Sequence, residues 1–168
     1  MSVAASLWLA LRSLLWTILL PGLFAGFLPW RYFGLNQVEL DTRSPRQWLG
    51  LAAIGIGVVL LGICIWEFAR RGRGTLAPGD PPRTLVVQGL YRYVRNPMYV
   101  SVTTIVLGEA LLTGSRALLA YWGVWFLAVN LFVIGYEEPT PHRRFGSAYE
   151  RYRVLVGRWV PRRPARTN

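Results

Sequence analysis

Residues 98–138 read MYVSVTTIVLGEALLTGSRALLAYWGVWFLAVNLFVIGYEE. Met98–Thr113 is apolar apart from Glu109, Thr113-Gly114-Ser115-Arg116 carries turn residues, and Ala117–Tyr136 then runs for 20 residues without a charge. At ~1.5 Å of helical rise per residue, such a run crosses a hydrocarbon layer of ~30 Å. The short connection predicts an antiparallel helical hairpin. A hairpin returns its two open ends to one place. Arg95, Asn96, Pro97 and Tyr99, entering the first helix, are therefore expected beside Tyr136, Glu137 and Glu138, leaving the second.

The rest of the chain agrees with lipid as a solvent. Of 168 residues, 53% are hydrophobic and 16% are charged, with a mean hydropathy of +0.32. A soluble domain carries about 25% charged residues, so this chain has too few to cover a water-facing surface. Trp48–Trp66 is a second uncharged run, 19 residues long, with a tryptophan for each membrane interface. Gly50, Gly55, Gly57 and Gly62 within it permit close helix packing. Leu7–Trp30 is interrupted only by Arg12, Pro21 and Pro29. It is long for a secretory signal and has no small-x-small cleavage site, so it reads as a retained span with Arg12 reaching the headgroups.

After Pro139 the chain turns polar. Phe145, Tyr149, Tyr152, Val156 and Trp159 recur at steps of four, three, four and three, with arginines between them, until Pro161. That spacing predicts an interfacial amphipathic helix. The expected fold is all-α: a single polytopic membrane domain over 1–168, with about four transmembrane helices near 7–30, 48–68, 98–113 and 117–136 and this helix at the C-terminal side.

The net charge is +11 and every cation is arginine. Six arginines fall in 70–95 and eight after Pro139. The positive-inside rule puts these segments, and with four spans both termini, in the cytoplasm; a bacterial inner membrane is the expected location. Because the arginines flank spans, a membrane is the expected partner and nucleic acid is not. One cysteine, Cys64, and one histidine, His142, exclude an internal disulfide and a zinc cluster, and no metal site is expected. Cys64 lies in an apolar run and reads as a packing residue; His142 reads as solvated.

Polar chemistry gathers at Gln88–Tyr99, QGLYRYVRNPMY, which runs straight into the apolar hairpin. Opposite it, Glu137 and Glu138 stand at a helix C-terminus, where the macrodipole favours cations. Two kinds of partner suit them: an arginine, Arg95 or Arg143, or a bound cation such as the sulfonium and ammonium of S-adenosylmethionine. Glu109, an acid inside a span, is a functional candidate by position; the alternative is that it reaches interfacial water or pairs with Arg116.

The pieces GLYRYVRNPMY, YEEP and FGSAYERYRVLVGRWVP resemble, in order and spacing over 84–161, the isoprenylcysteine carboxyl methyltransferase and phospholipid methyltransferase family of integral membrane enzymes. The resemblance implies S-adenosylmethionine bound at the cytosolic end by motifs in 84–99 and 137–161, and a lipidic or amphiphilic acceptor entering from the bilayer. It implies cofactor contacts at Gly89, Tyr91, Arg95, Asn96, Pro97, Tyr99, Glu137 and Glu138. Tyr149, Tyr152 and Arg158 would meet the acceptor, and Glu137, Glu138 and Arg158 are the catalytic candidates. Two positions depart from the pattern. Asn96 stands where many relatives have histidine, and an amide does not titrate near neutrality. Pro141 stands where leucine is usual. Rival readings are a sterol-type membrane reductase using NADPH, for which the chain is short, and a non-catalytic membrane scaffold, which leaves the Glu-Glu pair unexplained.

Overall fold

The computed structural model describes residues 19–71 and 88–162, which are helical and turn structure without a named strand. We number the helices α1 (Leu28–Tyr32), α2 (Pro45–Arg71), α3 (Pro97–Thr113), α4 (Arg116–Phe132), α5 (Pro139–Phe145) and α6 (Ser147–Leu155). Two compact units divide them: 19–63 with 98–131, and 64–71 with 88–97 and 132–162.

The first unit is apolar and is built around α3. This helix is apolar on every side, so every side can be covered: Ser101, Val102, Ile105 and Val106 are at most 6% exposed. Helix α2 lies against it at backbone distance. A Cβ on Gly50 would stand 2.7 Å from the Gly108 carbonyl oxygen, and one on Gly57 would stand 2.8 Å from that of Ser101. After the expected turn at 113–116, α4 runs back along α3, buries Leu118, and donates from Trp122 Nε1 to the Thr103 carbonyl at 3.1 Å. Tyr121 Oη donates to the Phe24 carbonyl at 2.9 Å, and Phe24 packs on Trp125 with ring centroids 4.5 Å apart. Arg46 Nη1 donates to the Leu111 carbonyl at 2.7 Å, a cation on the C-terminal turn of α3.

The outer faces of this unit are as apolar as its core. Ile56, Val58, Val59, Val124, Leu127 and Leu131 are each more than half exposed. Such a surface is stable against hydrocarbon and not against water.

Two helical runs among the described residues are long and apolar enough to cross a membrane, Pro45–Glu67 and Arg116–Arg143. Four spans were expected. Helix α3 is apolar, but its 17 residues rise only about 25 Å. Residues 7–18 of the expected first span lie outside the described residues; 19–32 are helical, with a widened turn at Leu23–Phe27.

The helix widens the same way at Val133–Glu137, where Glu138 N donates to the Val133 carbonyl at 2.8 Å, five residues back. Both widened turns end two residues before a proline, Pro29 and Pro139. A proline cannot donate to the carbonyl four residues behind it, and its ring crowds that carbonyl. Opening the preceding turn relieves the crowding, and such π-turns recur at functional positions. Here the widened turn delivers Glu137 and Glu138.

The C-terminal side differs from the single amphipathic helix that the spacing predicts. Gly146, at φ +48, breaks it into α5 and α6, and α6 ends at Leu155. The aromatic stripe faces inward: Tyr149, Tyr152 and Val156 form a buried cluster on which Phe145 packs. Val154, Leu155 and Val160 take the exposed face instead. Regular spacing identifies a shared face but not what covers it.

Candidate functional site

The second unit assembles most of the residues singled out above. Tyr93–Arg95 pairs with the segment after α6 through a parallel bridge between Val94 and Gly157. Arg95 N donates to the Gly157 carbonyl at 2.8 Å, and Arg162 N donates to that of Tyr93 at 3.0 Å. This pairing sets Arg95 and Arg158 on the same carboxylate. Arg158 grips Glu138 with two parallel bonds, Nε to Oε1 at 2.7 Å and Nη2 to Oε2 at 2.8 Å. Arg95 Nη1 approaches Oε1 at 3.1 Å. Asn96 Nδ2 donates to the Arg158 carbonyl at 3.3 Å and ties the two segments once more.

Glu138 thus has the compensating cation that its helix end requires, and has it twice. Arg95 is one of the two partners expected from sequence; the second is Arg158, not Arg143. The Glu138 bond holds the Arg158 guanidinium above its ordinary value, against a smaller opposing effect of burial. Two guanidiniums on one carboxylate leave one positive charge in surplus. The Arg95 side chain is 10% exposed, yet its Nε is buried with no hydrogen-bond partner among the described residues. A buried cation with a donor to spare is a place for an anionic ligand group.

Tyrosines close the other side. Tyr152 Oη donates to the Tyr91 carbonyl at 2.8 Å, and the Tyr149 and Tyr152 rings stand 6.2 Å apart. Burial pushes the Tyr91 and Tyr152 phenols well above the ordinary tyrosine range. Burial also raises Tyr149, helped by Glu138 and opposed by Arg95. All three are neutral hydrogen-bonding groups at physiological pH. Glu137 bears on the Tyr91 phenol electrostatically, which puts a second carboxylate within range of the tyrosine group.

Of the residues expected from sequence, Gly89, Tyr91, Arg95, Asn96, Pro97, Glu137, Glu138, Tyr149, Tyr152 and Arg158 belong to this unit, while Tyr99 falls in the first turn of α3 in the apolar unit. His142 is exposed, with Nε2 2.6 Å from Glu150 Oε1 at the surface. Glu109 is 4% exposed in α3, and among the described residues no ion pair joins it to Arg116. One residue at the site was not anticipated. Glu67, at the end of the apolar run of α2, reaches the turn at Gly89–Arg92. Its signal in the sequence is only that an acid follows Trp66 directly.

A helical chain with two membrane-length helices, and a polar unit holding an arginine-bracketed carboxylate among buried tyrosines, is compatible with a membrane-associated protein. The comparison with known families is more specific. The pattern of the phospholipid methyltransferase family matches residues 45–148, and the chain belongs to that family. The match takes in Arg95, Asn96, Glu137 and Glu138; Arg158 lies beyond it. An uncharacterized protein of Haemophilus influenzae is 38% identical over 65 residues, 38% of this chain and all of that protein. No solved structure matches. Family membership supports a lipid-directed methyltransferase.

Proposed function

We propose that the protein is an integral membrane methyltransferase that takes its methyl group from S-adenosylmethionine. The acceptor is an amphiphile delivered by the bilayer, of the isoprenylcysteine carboxylate type or the phospholipid amine type. The observation that carries the reading is the arginine-bracketed Glu138, in a chain whose family transfers methyl groups to lipids.

The donor set fits the cofactor. Its methionine carboxylate suits the Arg95 guanidinium, whose buried Nε has no partner among the described residues. Its positive groups suit Glu137, and its adenine suits the Tyr149 and Tyr152 rings. The cofactor supplies an electrophilic methyl on sulfur. What remains for the protein is alignment and exclusion of water. Glu138 holds Arg95 and Arg158 in a fixed geometry. Asn96 steadies the Arg158 backbone and moves no proton. A carboxylate acceptor arrives ionised, and Arg158 orients it; an amine acceptor first loses a proton, for which Glu137 is the base. In this reading the chain is multi-pass, with both termini and the arginine-rich segments on the cytoplasmic side of a bacterial inner membrane. Val154, Leu155 and Val160 rest on the headgroup region.

Calorimetry on the detergent-purified chain tests this without an acceptor. S-Adenosylmethionine and its demethylated product are expected to bind in the micromolar range, with at least tenfold loss in Arg95→Ala and Glu138→Gln. A folded sample that binds neither compound, or that binds a nicotinamide cofactor instead, sinks the proposal.

A further inference from the structure

Helix α2 carries its apolar run to Trp66 and then presents Glu67. This acid reaches the turn at Gly89–Arg92, across 21 intervening residues of sequence, with a long hydrogen bond from Leu90 N to Oε2 at 3.4 Å. The carboxyl group also lies over Gly89, where any added Cβ would overlap it. Gly89 has φ +61, a left-handed backbone that favours glycine, and a Cβ there would displace the acid from its open face. One turn back on the same side of α2, Cys64 is buried, and both Cys64 and Glu67 act electrostatically on the Tyr91 phenol. The turn they meet supplies the Tyr91 carbonyl to Tyr152 and leads within three residues to Arg95.

A turn at the end of a long connection loses much conformational freedom on being fixed. Something must hold it where the bridge between Val94 and Gly157 begins. The end of a stiff helix is a good anchor, and a carboxylate can accept from a backbone N–H while lying on a glycine. We infer that Glu67 is a positioning residue. It tethers the Gly89–Arg92 turn to the end of α2, and so sets Tyr91 and Arg95 for ligand binding. Its functional half rests on the methyltransferase reading; the tether can be measured without it.

The test uses the full chain in detergent, as wild type, Glu67→Gln, Glu67→Ala, Gly89→Ala and the double alanine variant. Hydrogen exchange over 88–95 reads the tether. Exchange is expected to quicken about tenfold or more in Glu67→Ala and in Gly89→Ala. It should stay near wild type in Glu67→Gln, whose amide oxygen still accepts from Leu90 N. In the double variant the new methyl enters space vacated by the carboxylate, so its effect should be well below the product of the single effects. Equal protection in wild type and Glu67→Ala, or strictly multiplicative effects, overturns the tether. Calorimetry with S-adenosylmethionine reads the consequence: at least tenfold weaker binding in Glu67→Ala, restored in Glu67→Gln. Faster exchange with unchanged affinity overturns the positioning role. A wild type that binds no cofactor overturns that role together with the methyltransferase reading, while exchange alone still decides the tether.

Discussion

In the apolar unit, α2 and α3 approach until a single methyl group on Gly50 would strike the backbone of Gly108. In the polar unit, by contrast, Glu138 is held between Arg95 and Arg158, and a carboxylate lies on Gly89. The same residue type, glycine, serves both, for different reasons. Against hydrocarbon there is little hydrophobic gain from bringing two apolar helices together, so close van der Waals contact and a few buried hydrogen bonds hold them. Where the chain turns polar, ion pairs and side-chain bonds to the backbone take over. These fix direction as well as distance, as a binding site requires.

Breaking the polar arrangement should have the largest effect. Glu138→Ala leaves Arg95 and Arg158 facing one another without their counter-charge. The loss is expected at about 1–3 kcal/mol, below the full penalty for a buried pair because the Arg158 side chain is 30% exposed. Thermal unfolding in detergent measures it, and a midpoint equal to wild type would mean the carboxylate does not hold the unit together. Arg158→Lys sharpens the point, since an ammonium cannot reproduce the two parallel bonds.

The apolar unit is tested by a pair of glycines five residues apart on α2, Gly50 and Gly55. Gly50→Ala pushes a methyl to 2.7 Å from the α3 backbone and should cost about 1–3 kcal/mol. Gly55→Ala meets nothing within 4 Å and should be neutral or slightly stabilising. Equal effects at the two positions would contradict the close approach.

The smallest effects concern the tyrosines. Tyr152→Phe removes the 2.8 Å bond to the Tyr91 carbonyl and should cost about 1 kcal/mol. Tyr91, Tyr149 and Tyr152 all have phenols raised in the folded state, chiefly by burial. Above pH ~10 the unfolded chain gives up these protons first, so stability should be intact below that pH and fall as pH rises through it. Tyr152→Phe should flatten that alkaline fall. A melting temperature independent of pH between about 9 and 11 would count against buried phenols.

Much of this is legible in the sequence. Uncharged runs, turn residues and flanking arginines are local properties, and they mark α2, the turn at 113–116 and α4 directly. The requirement that Glu138 find a cation was legible too, because a carboxylate at a helix C-terminus is unfavourable wherever the helix lies. Which cation was another matter. Arg95 and Arg143 are both close in sequence to an expected helix end, whereas Arg158 arrives through the bridge between Val94 and Gly157, a pairing between residues far apart in the chain. The length of α3 was legible, but the burial of Ser101, Val102, Ile105 and Val106 was not, since an apolar helix can face lipid or protein with equal ease.

By itself, the sequence determined that this chain is helical, that it belongs with lipid, and that acid and arginine gather where the apolar runs end. Those outcomes follow from hydropathy, spacing and charge, which are summed along the chain. The tertiary structure alone decided that the aromatic stripe of 145–159 turns inward, that Gly146 breaks its helix, and that Glu67 sits on Gly89. Each depends on which surfaces meet, and a periodic pattern specifies a face without specifying its partner.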